Sequence, residues 1–140
     1  MDNLRYINMI FYHFLSSLLY EDKFNYTVSK KENDLVTSSI ELMQKKTGTV
    51  LTLAELSAFV NLSVSHYSAL FRAKTGYSPI EYFNHLKVQK ACQYLLFSDM
   101  SVKEIAGLLG VDDPYYFSRM FSRLMGTSPR QYRKRNTANR

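Results

Sequence analysis

Leu62-Ser-Val-Ser-His-Tyr-Ser-Ala-Leu-Phe-Arg-Ala-Lys-Thr-Gly-Tyr-Ser-Pro79 is the stretch whose reading decides the fold. Tyr67, Leu70 and Phe71 recur at spacings of three and four, which gathers them on one side of a helix and leaves Ser65, Ser68, Ala69 and Arg72 on the other. Ser63 is placed to cap that helix, and Ser78 with Pro79 starts the next. The pattern returns 49 to 50 residues later, from Val111 to Pro129. There Phe117, Met120, Phe121 and Leu124 form the inward set, while Tyr115, Ser118, Arg119 and Ser122 face outward with Arg123 beside them. Asp112 or Asp113 caps this second helix, and Pro114 takes its first position.

Working upstream, each copy is preceded by a capping box, Thr52-Leu-Ala-Glu55 and Ser101-Val-Lys-Glu104, where hydroxyl and carboxylate satisfy the free amides of a helix start. Asn61 and Gly110 then stand at matching positions, where a tight turn can use the left-handed region. The reading is helix, short turn, helix, twice. Two copies are too few for a solenoid, so a duplicated module with a spacer is expected. The spacer is a helix from Pro79 to about Phe97, roughly 28 Å long at 1.5 Å per residue. Major-groove faces on one side of B-DNA recur about every 34 Å, so such a rod suits two reading heads one helical turn apart.

Strand signals are nearly absent, and the expected class is all-α. A helix is expected from about Asp34 to Lys46, with Leu35, Ile40 and Met43 inward and a stop at Gly48; Lys23 to Asn33 is polar and reads as a linker. Leu4, Ile7, Phe11, Phe14 and Leu18 line an N-terminal amphipathic helix, widened by Ile10, Leu15 and Leu19, that needs a covering partner. The expected organisation is residues 1–33 as the end of an N-terminal sensor or dimerisation domain plus linker, and 34–135 as the duplicated module. Within the module the first unit covers about 34–78, the linker helix about 79–97 and the second unit about 98–135; 136–140 form a basic tail.

Charge points to a partner. Of the net +6, seven basic residues and no acid lie from Pro114 onward (Arg119, Arg123, Arg130, Arg133, Lys134, Arg135, Arg140), leaving 11 − 12 = −1 for the rest. A field polarised in this way attracts polyanions, nucleic acid first and an anionic membrane second. An outward face of serine, tyrosine and arginine suits a DNA groove, where arginine can bond guanine bidentately. Solvated positions are the alternative for the outward set, and a solubilising tail is the alternative to phosphate contacts for Arg133, Lys134 and Arg135. The lone Cys92 has no thiol partner, and His13, His66 and His85 are scattered. No catalytic residue, metal ligand or cofactor site is therefore expected, and the chain is not expected to be an enzyme. The N-terminal apolar run is too short and too often interrupted to span a membrane, and a reducing cytoplasm is the expected location.

The quoted stretch, together with Gly110-Val-Asp-Asp-Pro-Tyr-Tyr-Phe-Ser-Arg-Met-Phe121 and Gly126-Thr-Ser-Pro-Arg-Gln-Tyr-Arg133, resembles the AraC/XylS family of bacterial transcription regulators over about residues 34–135. The resemblance implies two helix-turn-helix units joined by a long helix, each second helix entering a major groove on the same face of double-stranded DNA. Carried over by position, it implies DNA contacts at Ser65, Ser68, Ala69 and Arg72, and at Pro114, Tyr115, Ser118, Arg119 and Arg123. Many family members have a large or charged side chain where this chain has Ser65 and Ala69, so the first helix is expected to read bases more weakly. The family also implies an activator, RNA polymerase as a further partner, and a small-molecule effector acting only through an upstream domain; the apolar stripe of the N-terminal helix is expected to pair two copies or to fold back on its own domain. A rival reading is a helical protein-interaction module whose basic tail is incidental. Salt separates the two, because counterion release weakens DNA binding steeply and apolar pairing hardly at all.

Overall fold

The computed structural model describes residues 27–137, with side chains from residue 31 onward. The stripe from Leu4 to Leu19 and the last three residues of the basic tail lie outside that range. Seven helices are described: α1 (Thr27–Lys45), α2 (Leu53–Phe59), α3 (Val64–Thr75), α4 (Pro79–Phe97), α5 (Val102–Leu108), α6 (Pro114–Met125) and α7 (Pro129–Thr137). Among the described residues there is no strand.

Local chemistry sets the boundaries. Both capping boxes form: Glu55 accepts from the Thr52 amide at 2.7 Å and Glu104 from the Ser101 amide at 2.7 Å, while each hydroxyl accepts in return from the glutamate's own N–H at 3.2 Å. Ser63 caps α3 through the His66 amide. Asp113, rather than Asp112, caps α6 through the Tyr115 amide, and Pro114 occupies the first turn. In the turns, Asn61 has φ 56° and Gly110 φ 69°, the left-handed conformation that both residues tolerate. The chain then folds back so that the Leu62 amide donates to the Ser57 carbonyl and the Val111 amide to that of Ala106.

Two compact units divide the chain. Of the described residues, one unit comprises those up to Met43 with Leu51–Tyr82; the other comprises Gln44–Val50 with those from Phe83 on. The first unit closes on Leu56, Val60, Tyr67 and Phe71, which are 5% exposed or less. The Phe71 ring meets that of Tyr82 edge to face at 5.4 Å, the geometry in which one ring's positive rim faces the other's negative face. The second unit repeats this arrangement. Ile105, Leu109, Phe117 and Phe121 are buried, and Phe121 meets Tyr132 at 5.7 Å and 76°.

Four expectations need correction. Helix α1 is described from Thr27, so the polar stretch 27–33, read as a linker ahead of a helix starting near Asp34, is helical. Its fully buried residues are Val36, Ser39 and Met43, with Leu35 and Ile40 only half-buried. Ser39 can be buried because its hydroxyl hydrogen-bonds the Tyr67 hydroxyl. In α6, Met125 is buried where Leu124 was expected, and Leu124 is half-buried. Arg133 is half-buried and held by the fold rather than part of a freely solvated tail. Its guanidinium donates from Nε to the Leu95 carbonyl at 3.1 Å and from one terminal nitrogen to Met100 at 2.6 Å and Ser98 at 3.4 Å, fastening α7 to the end of α4.

Lys87 is a buried cation that the sequence pattern did not mark. It is 5% exposed, and its ammonium donates to the carbonyls of Thr47 and Thr49 at 2.7 Å each and to that of Leu109. The ring of Phe83 lies 4.4 Å away. Burial lowers the Lys87 pKa to about 8, which leaves the ammonium charged at neutral pH.

Candidate nucleic-acid interface

In each unit the second helix of the helix-turn-helix presents an exposed face. On α3 the side carrying Tyr67, Leu70 and Phe71 is buried; Ser65, Ala69 and Arg72 are exposed, and Ser68 is half-buried between them. On α6, Phe117, Met120 and Phe121 are buried, Tyr115, Arg119 and Arg123 are exposed, and Pro114, Ser118 and Ser122 are half-buried. All nine residues expected to contact DNA thus lie on, or at the start of, the outward face of the second helix in a helix-turn-helix. From Ser65 to Arg72, or Tyr115 to Ser122, the face runs two helical turns, about 10 Å. A helix lying in a major groove contacts about three successive bases over such a span.

The two faces differ in chemistry. The α3 face offers small hydroxyls, one methyl group and a single arginine, with exposed His66 beside it. The α6 face offers two arginines and Tyr115, whose side chain is 76% exposed. Tyr116, 49% exposed, stands at the edge of the same face and was missed by the sequence reading. Its spacing of three to Arg119 and seven to Arg123 was the available signal. Arg130, Lys134 and Arg135 on α7 are exposed as well, so they add to the positive field of the second unit.

Among the described residues, no cluster of His, Cys, Asp and Glu could hold a metal ion. Burial pushes the Cys92 thiol up to about 11, far from the thiolate a nucleophile needs. Among the described residues, no helix is long and apolar enough to cross a membrane.

Residues 56–135, more than half of the chain, match the family model described as a helix-turn-helix domain. The chain belongs to the AraC-type helix-turn-helix family. This is a family of DNA-binding transcription regulators, not of enzymes. The chain is 51% identical over 85 residues to the MmsAB operon regulatory protein of Pseudomonas aeruginosa, a match covering 61% of this chain and 28% of that protein. It is 32% identical over 107 residues to the raffinose operon transcriptional regulatory protein of Pediococcus pentosaceus, covering 76% and 39% respectively. The chain therefore spans well under half the length of either relative. Among solved structures, the DNA-binding domain of AdpA in complex with a target DNA superposes with a TM-score of 0.72 at 28% identity, covering 75% of this chain and 95% of that one. The C-terminal domain of AraT from Geobacillus stearothermophilus gives 0.70 at 32% identity, covering 72% and 84%.

Proposed function

We infer that this AraC-type chain binds double-stranded DNA in a sequence-specific manner by offering α3 and α6 to successive major grooves, and that it serves transcription activation. The observation that carries this reading is the pair of exposed faces on two helix-turn-helix units with matching caps, turns and cores. In it, Ser65, Ser68, Ala69 and Arg72 contact the first half-site, and Pro114, Tyr115, Ser118, Arg119 and Arg123 the second. Activation is proposed because the chain is also 34% identical over 110 residues to the transcriptional activator Btr of Bacillus subtilis. On the same reading the protein works in the cytoplasm, contacts RNA polymerase, pairs with a second copy through residues 4–19, and answers an effector only through an upstream domain.

Selection of genomic DNA fragments by the chain at about 150 mM salt tests it, since specific contacts must supplement phosphate attraction there. The expected result is enrichment of two short half-motifs with centres about 10 base pairs apart. Salt-sensitive binding without any enriched motif would overturn sequence-specific reading.

A further inference from the structure

Lys87 lies on α4, well away in sequence from either reading helix, yet it meets the turn that leads into α6. An ammonium carries three protons, and three carbonyl oxygens receive them, so every donor is used. Two of those carbonyls, Thr47 and Thr49, belong to the loop after α1; the third, Leu109, ends α5. At this junction the loop and the turn touch backbone to backbone. A Cβ on Gly48 would lie 2.8 Å from the Leu108 carbonyl oxygen, and one on Gly110 would lie 2.9 Å from the Gly48 oxygen. No side chain fits between them, and the carbonyls brought together there need a donor that arrives from elsewhere. Without one, the Leu109 carbonyl is a buried acceptor left unsatisfied, and the part-buried carbonyls of Thr47 and Thr49 lose the group that ties them to it.

The turn fixes how α6 starts. Gly110 holds its left-handed conformation directly after Leu109, the Val111 amide bonds back to Ala106, and the Asp113 cap follows. We propose that Lys87 is a positioning residue for the second reading head: by joining the carbonyls of Thr47, Thr49 and Leu109, it clamps the loop after α1 onto the α5–α6 turn and sets the direction in which α6 meets DNA. The proposal rests on the assignment of α6 as a DNA-reading helix, and it makes residues 44–50, which precede the first repeat in sequence, a working part of the second.

The test uses the full chain with Lys87→Met, which keeps most of the stem and removes the ammonium, and with Lys87→Arg, which keeps a cation. Amide hydrogen exchange without DNA reads the clamp: Gly110 and Val111 should exchange faster in K87M and return toward wild type in K87R. Binding is then measured on the selected site and on duplexes scrambled in one half-site at a time. K87M should lose roughly tenfold or more of its discrimination at the half-site read by α6, the scale of one lost base contact, and keep its discrimination at the other. K87R should recover much of it. Should K87M fail to fold, Gly48→Ala asks the same question with the lysine in place, because its methyl group pushes the loop off the turn. Equal loss at both half-sites, or none at either, would overturn the proposal, as would unchanged exchange at Gly110 and Val111. A wild-type chain that selects no site would remove the DNA-reading assignment itself, an outcome told apart from the others by the wild-type measurement alone.

Discussion

The two helix-turn-helix units share a frame but differ in what fastens it and in what it displays. In the first, Tyr67 stands where the second has Phe117, and its hydroxyl reaches Ser39 on α1, 28 residues away. The second lacks that hydroxyl and is fastened by cations instead, Lys87 on the turn before α6 and Arg133 on the end of α4. The displayed faces diverge in the same direction, small and nearly uncharged on α3, aromatic and twice cationic on α6. A duplicated core therefore preserves how a helix is held while leaving free what it says, because the buried and exposed positions alternate around one cylinder and can change independently.

The largest effect expected concerns what the units share. Phe71→Ala and Phe121→Ala each remove a fully buried ring and should each cost about 3 to 5 kcal/mol, measured by chemical denaturation. A much smaller cost at one of them would break the equivalence of the two cores. The next concerns what differs. Arg119→Ala should cost about 1 to 3 kcal/mol of binding and relax preference at one base pair, whereas Arg72→Ala should cost less and weaken all sequences alike; competition binding against a panel of single-base variants separates the two outcomes. Equal relaxation by both substitutions would mean that the faces read DNA alike despite their chemistry.

A smaller effect isolates the fastening. Tyr67→Phe makes the first unit resemble the second and leaves the Ser39 hydroxyl buried without its partner, at a cost of about 1 to 2 kcal/mol; adding Ser39→Ala should recover most of it in a double-mutant cycle. The smallest effects belong to the caps. Thr52→Ala and Ser101→Ala should each cost about 1 kcal/mol. Hydrogen bonds from the Ser101 amide and hydroxyl hold the Glu104 carboxyl below its ordinary value. A depressed carboxylate stabilises the fold above its unfolded pKa, about 4.3, and that stabilisation disappears as the pH falls through the lowered folded value. An NMR titration of Glu104 should thus show a midpoint below that of an unfolded glutamate, moving upward in Ser101→Ala.

Much of this was legible from the chain alone because it is local. Caps, proline starts and the left-handed Asn61 and Gly110 are decided by residues within four positions of one another, and the recognition faces follow from a period of 3.6. What stayed hidden depended on distant partners. Ser39 is buried by a partner that nothing near it in sequence announces, the Tyr67 hydroxyl. Lys87 went unmarked and Arg133 was assigned to phosphate or a solvated tail because their partners are backbone carbonyls 22 to 40 residues away, and a carbonyl leaves no trace in a sequence. The start of α1 was missed for another reason: residues 27–33 show no apolar stripe, yet each extends a helix already nucleated and needs only its own hydrogen bond.

The interleaving of the units, with Gln44–Val50 built into the second, has a practical consequence for anyone recombining regulators. A chimera cut between α3 and α4 would transplant α4, α5, α6 and α7 but leave the oxygens of Thr47 and Thr49 behind in the donor. Its lysine would arrive with two of its three acceptors missing. Heads of this kind are exchangeable only in pairs, or together with a short loop borrowed from the far side of their neighbour.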